Sequence, residues 1–174
     1  MRLFIAINFP AEIKTAISEV CSNLKKMLLS GNFTLIENLH LTLLFLGECD
    51  HQKTESIKLI LNETIFQEFT LTLDKAGYFK RNDGDTWWIG LKESQPISAL
   101  HADLSTRLKQ RGFVMENRKF TPHITIGRKI RVRSGVVQPL IHDVGFNVAS
   151  IALMKSEHIK GKLTYTPIFS RNAG

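Results

Sequence analysis

Cysteine is scarce and long apolar runs are missing. The 174 residues include two cysteines, Cys21 and Cys49. That argues against a disulfide scaffold and against a cysteine-built metal site. Cys21 falls on the apolar side of an expected helix, where a small core residue belongs. No apolar stretch approaches the ~18 residues that a membrane-spanning helix needs. The run from Met1 to Pro10 is too short for a secretory signal and reads as a first strand. A cytoplasmic protein is the simplest expectation. No segment rich in Pro, Gly or Ser divides the chain into tethered parts. There is no G-x-x-x-x-G-K-[ST] loop, which speaks against ATP use, and no H-E-x-x-H or Cys-His cluster. No metal and no cofactor are expected.

Acidic residues are nearly missing from one segment. Between Arg107 and Arg133 there are nine Lys and Arg and a single acid, Glu116. The rest of the chain is close to neutral, so the net charge of +7 is concentrated there. Such a field attracts polyanions.

What is present is a short pattern that occurs twice. His40-Leu41-Thr42 lies in the run Leu39 to Gly47, and His123-Ile124-Thr125 follows Thr121-Pro122. Both sit in apolar runs of strand type. Alternate strand residues share a face, two residues spanning roughly 6.8 Å. Each copy therefore presents an imidazole and a hydroxyl side by side. The preceding residues echo as well: Phe33-Thr34-Leu35-Ile36-Glu37-Asn38 before the first copy, Phe113-Val114-Met115-Glu116-Asn117 before the second. A single internal duplication fits.

The periodicities predict a strand over Leu3–Phe9, then a helix opened by Pro10. Ile13, Ala16, Ile17, Val20, Cys21, Leu24, Met27 and Leu28 would face inward, with Gly31 as the stop. Strands are expected over Phe33–Ile36 and Leu39–Leu46. Asp50 would cap a second helix with Ile57, Ile60, Leu61 and Ile65 inward. Strands from Phe69 to Phe79 and Thr86 to Leu91 flank an Asp83-Gly84 hairpin turn. A third helix buries Ile97, Leu100, Leu104 and Leu108. Strands follow near Phe113–Glu116, Thr121–Ile126, Phe146–Lys155 and Leu163–Phe169, with residues 129–143 basic and irregular. Of Trp87 and Trp88, one should pack in the core and the other face out. His51, His101, His142 and His158 read as surface residues. Hairpins outnumber helices, so the fold class is α+β rather than a doubly wound sheet. The expected architecture is a single bilobal domain over residues 1–174. It has two similar lobes with antiparallel-rich sheets, outer helices and pseudo-twofold symmetry, each lobe sending one His-x-Thr strand to a central cleft.

Two imidazoles suit phosphodiester chemistry near neutral pH, since each can act as acid or base. Thr42 and Thr125 can donate to non-bridging oxygens, and Arg128 can add a charge-assisted contact. Arg128 is five residues from His123, the wrong parity for a straight strand, so a bend at Gly127 is required. The basic surroundings should disfavour the imidazolium of His123, whereas His40 should hold its proton more easily.

The run His40-Leu-Thr-Leu-Leu-Phe-Leu-Gly47, the run Phe120-Thr-Pro-His-Ile-Thr-Ile-Gly-Arg128 and the opening Met-Arg-Leu-Phe-Ile-Ala-Ile-Asn-Phe-Pro together resemble the RNA 2',3'-cyclic phosphodiesterase family. This is also called the 2'-5' RNA ligase family, within the two-histidine phosphoesterase superfamily. The likeness covers nearly the whole chain, including Ser156, Gly161 and Tyr165. It implies metal-independent hydrolysis of a 2',3'-cyclic phosphate at an RNA end to a 2'-phosphate, with His40 as proton donor and His123 as acceptor. Reversible ATP-independent 2'-5' RNA joining is a second reaction that it implies. A non-catalytic RNA-binding role and a phosphodiesterase for small cyclic nucleotides are the alternatives. The partner expected is RNA with a cyclic phosphate end, without membrane attachment, on a monomeric protein.

Overall fold

A computed structural model of the chain describes residues 1–115, 119–133, 141 and 144–174. Strand β1 covers Arg2–Asn8, helix α1 Ala11–Lys25 and strand β2 Leu28–Phe33. A 3-10 turn over Ile36–Asn38 leads into β3, His40–Glu48, and α2 follows over His51–Glu63. Strands β4 (Phe69–Phe79) and β5 (Asp85–Leu91) precede α3, Gln95–Gln110. The chain closes with β6 (His123–Val132), β7 (Gly145–Val148), β8 (Ser150–Ile159) and β9 (Lys162–Asn172).

Two antiparallel sheets form from these strands. One has the order β3-β1-β8-β9, the other β2-β6-β5-β4-β7. The sheets interleave along the chain: β2 joins the second sheet although its neighbours β1 and β3 join the first. Each His-x-Thr strand returns from a helix to pair with the strand before that helix, β3 with β1 around α1 and β6 with β5 around α3. That repetition follows the two copies of the His-x-Thr pattern. One buried apolar cluster draws on both sheets and all three helices, including Ile5, Ile17, Leu41, Ile57, Ile89, Leu104, Ile124 and Leu153.

The helices bury the stripes that their periodicity marks. Helix α1 turns Ile13, Ile17, Val20, Cys21 and Leu24 inward. Burial pushes the Cys21 thiol up to about 11, so it is an inert core residue. Asp50 caps α2 by accepting from the Lys53 N–H at 2.8 Å. Ile65 lies beyond the end of α2 and is 76% exposed, contrary to its expected place in the core.

Other departures have tertiary causes. Helix α1 stops at Lys25, and Leu28 opens a strand because β2 pairs with β6. Gly31 is not a helix stop but lies inside β2 at φ +127°, where an added Cβ would sit 2.6 Å from the Lys129 carbonyl oxygen. Only glycine tolerates both the backbone and the approach. The expected strand Phe33–Ile36 is instead the end of β2 and the start of the 3-10 turn. Phe113–Met115 has no regular structure, and Glu116 lies outside the described residues. The stretch Phe146–Lys155 is two strands: it leaves β4 of one sheet and at Ala149 crosses to β1 of the other. Among the described residues no helix is long and apolar enough to cross a membrane.

Candidate active site

The site begins with backbone carbonyls. The Nδ1 of His40 lies 2.7 Å from the carbonyl oxygen of Asn38. The Nδ1 of His123 lies 2.7 Å from the carbonyl oxygen of Thr121. In both motifs the acceptor is two residues before the ring. A carbonyl cannot donate, so Nδ1 carries the hydrogen and Nε2 is left as the working nitrogen. His40 Nε2 lies 2.9 Å from the Thr42 hydroxyl oxygen, as the shared strand face requires. Among the described residues, His123 Nε2 has no protein partner. Thr125 shares its face two positions on, and Trp88 lies opposite it on β5.

Both strands kink at the same place. Along β3 the partners run Ala6↔Thr42 and then Ile5↔Leu44, so Leu43 and Leu44 are both buried. Along β6 they run Trp88↔Thr125 and then Trp87↔Gly127, so Ile126 and Gly127 are both buried. One extra residue on the bulged strand reverses its alternation. Arg128 thereby returns to the face of His123 and Thr125, which is the bend that the parity demanded. Phe45 is its equivalent on β3, 53% exposed and 6.3 Å from Phe4 between ring centroids. One half presents a guanidinium where the other presents a phenyl ring.

Aromatic rings wall each imidazole. Phe4 lies 4.9 Å from His40, and Tyr165 meets the same ring edge-on at 5.0 Å. Around His123 stand Phe79 at 5.7 Å and Trp88 at 6.5 Å. Trp87 is in the core, 2% exposed, and Trp88 is half-buried beside His123 on the opposite face of β5, so the expected division of the pair holds. Trp88 lies over Gly77, where an added Cβ would come within 2.4 Å of the indole. Phe4 and Tyr165 lie among the residues that carry the family likeness, but no role at the site was read for them or for Phe79, because their place beside the imidazoles depends on strand pairing.

The electrostatics differ from the sequence expectation. The pKa of His40 is lowered, chiefly by burial. The Asn38 carbonyl opposes the shift; Arg128 and Lys14 add to it. The field of Arg128 therefore reaches the first motif, and His40 does not hold its proton easily in the free protein. β3 and β6 come into contact where the two sheets meet, which is how a charge on one bears on a ring of the other.

The remaining histidines stand apart. His51 and His158 are exposed, as expected. His101 is not a solvated surface residue: it stacks on Phe120 at 3.9 Å with 5° between the rings, and burial lowers its pKa. Phe120 is thus occupied by a protein partner. His142 lies outside the described residues. Among the described residues, no three His, Cys, Asp or Glu side chains gather in a way that could hold a metal ion.

Comparison with known proteins gives a consistent result. The model of the 2'-5' RNA ligase superfamily matches residues 9–159. The RNA 2',3'-cyclic phosphodiesterase of Thermotoga maritima is 36% identical over 97% of this chain and 91% of its own length. The protein of the same name from Escherichia coli is 33% identical over 96% of this chain and 93% of its own. The crystal structure of E. coli LigT complexed with 3'-AMP superposes with a TM-score of 0.86 at 30% identity, covering 99% of this chain and 97% of that one.

Proposed function

The chain belongs to the 2'-5' RNA ligase superfamily, and we propose that it hydrolyses RNA 2',3'-cyclic phosphate ends to 2'-phosphates without a metal ion. Water attacks the phosphorus while His123 Nε2 takes its proton. The P–O3' bond breaks, and His40 Nε2 delivers a proton to the departing 3' oxygen. The product is a 2'-phosphomonoester beside a free 3'-hydroxyl. Thr42, Thr125 and Arg128 hold the non-bridging oxygens, whose charge grows in the transition state. Joining of a 5'-hydroxyl end through a 2'-5' bond is the same path with the hydroxyl in place of water, and excess water favours hydrolysis.

The observation that carries this reading is the matched pair of imidazoles. Each has Nδ1 committed to a main-chain carbonyl and Nε2 left to exchange a proton. A pure binding protein needs no such control of tautomer. The test uses His40→Ala and His123→Ala on a short RNA with a 2',3'-cyclic phosphate, and on a p-nitrophenyl phosphodiester whose leaving group needs no proton. Each variant should lose about 10²–10⁴-fold on the RNA, the usual worth of a general acid or base. The nitrophenyl ester should rescue His40→Ala alone. Rescue of His123→Ala instead would exchange the two roles; unchanged turnover of the RNA in either variant would end the two-histidine mechanism, and RNA binding without turnover in the parent protein would make it a binder rather than this enzyme.

A further inference from the structure

The pair Glu37-Asn38 before the first motif is left unused by the proton-transfer scheme. Asn38 is a buried polar residue, 6% exposed. Thr54 and Thr64, also buried, return their hydroxyls to carbonyls one helical turn back. Asn38 reaches much farther. Its Nδ2 donates to the carbonyl oxygen of Leu163 on β9 at 2.8 Å, across 125 positions of sequence. Its own carbonyl accepts the Nδ1–H of His40 at 2.7 Å. One residue grips β9 with its side chain and the imidazole with its backbone.

That grip matters because the turn is weak by itself. The 3-10 segment is three residues long and closes with two backbone bonds, Asn38 N–H to the Leu35 carbonyl at 2.9 Å and Leu39 N–H to the Ile36 carbonyl at 3.2 Å. The Glu37–Lys162 pair beside it is more than half exposed and contributes little. A buried amide held by a good hydrogen bond is costly to release. At the second motif the same carbonyl duty falls to Thr121, and the next residue is Pro122, whose ring fixes φ. The first motif has Leu39 at that place, so a tether does there what a ring does in the other half.

We infer that the Asn38 side chain is a positioning residue for the reaction: by tying the turn to β9 it fixes the tautomer and the aim of His40. The kinetic half of its test rests on the reading of His40 as proton donor; the structural half does not. In ¹⁵N-labelled protein, ring couplings should report the Nδ1–H tautomer of His40, and the Asn38 side-chain amide should exchange slowly. Asn38→Ala, and Asn38→Leu as a volume-keeping second variant, should give a mixed tautomer. Their kcat on cyclic-phosphate RNA should fall about tenfold to a hundredfold, part of what a general acid supplies. KM should stay within about twofold, as for an interaction made in the transition state. On the p-nitrophenyl diester both should match the parent protein. An unchanged tautomer, a fast-exchanging Asn38 amide, or equal losses on the two substrates would overturn the assignment. If His40→Ala itself is not rescued by the nitrophenyl ester, the donor role of His40 fails, and the tautomer measurement still decides Asn38.

Discussion

An imidazole with Nδ1 bound to a carbonyl has a single site at which to gain or lose a proton. For His40 that site is depressed by burial first and by Arg128 and Lys14 after it. The neutral form therefore predominates in the free protein at neutral pH. A phosphate anion seated against the ring reverses the balance, because an adjacent negative charge favours the imidazolium. Binding should thus recruit a proton. The Cε1–H signal of His40 is expected to titrate below the ordinary value of about 6.5 in the free protein and to move upward when a 2'-nucleotide product is added. Calorimetry in buffers of different ionisation enthalpy should show proton uptake on binding, with affinity falling as pH rises. A midpoint at or above the ordinary value, or no upward movement with product, would refute this account of the site. The linkage to folding has a definite sign. A histidine lowered in the native state contributes stability above its unfolded pKa of about 6.5 and loses it as pH falls through the folded value. The His40→Ala protein should therefore be less sensitive to mild acid than its parent in urea unfolding.

The strands do their work through irregularity. β6 carries a bulge after Thr125, and a second register shift lies between Gly127 and Ile130 around Lys129, which stands at φ 55°. The backbone of Lys129 is enclosed on two sides by glycines: Gly31 from β2 and Gly84 from the β4–β5 turn would each bring a Cβ within 2.6 Å of it. Gly161 has a similar left-handed backbone, φ +79°, but nothing lies within 4 Å of its would-be Cβ. The pair separates crowding from backbone strain. Gly161→Ala is expected to cost about 1 kcal/mol, the penalty of a non-glycine residue in that region. Gly31→Ala should cost roughly 2–4 kcal/mol, since the clash adds to the strain. Urea denaturation measures both, and equal losses would mean that the approach to Lys129 is not what demands glycine. Turnover of Gly31→Ala should fall as well, because the displaced strand is the one that aims Arg128.

At the scale of the molecule, part of the basic excess, Arg128, Lys129 and Arg131, sits on the strand that carries His123. Arg131, further along β6, is exposed and, among the described residues, makes one long bond, 3.4 Å, to the Asn82 carbonyl. Its remaining donors are available to a phosphate backbone. Arg131→Ala should weaken RNA binding evenly across sequences and reduce the slope of log K against log salt by about 1 per lost contact, with kcat unchanged. Arg128→Ala should instead lower kcat, because its charge acts at the reacting phosphate. Titration of oligonucleotide binding against salt separates them, and identical behaviour would remove the distinction. Full turnover is expected in excess EDTA, since two imidazoles supply both proton transfers. Loss of activity on chelation, restored by a divalent ion, would end the two-histidine scheme.

The chemistry was legible in the sequence because it is local. His40 with Thr42 and His123 with Thr125 need only strand alternation to share a face, and alternation is written in the apolar residues between them. The helix stripes of α1, α2 and α3, the Asp83-Gly84 turn and the α+β class follow from periodicity in the same way. What depended on pairing between distant segments was not legible. Gly31 reads as a helix stop until β6 lies beside it, and Phe146–Lys155 reads as one strand until two sheets claim its ends. The bulge that turns Arg128 could be required by parity but not located in a partner strand. The depression of His40, opposite to the expectation from its neighbours in sequence, comes from burial under Phe4 and Tyr165 and from Arg128, 88 positions away along the chain. Charge and burial act through space, so the tertiary structure alone decides the proton affinity of a residue whose identity the sequence makes plain.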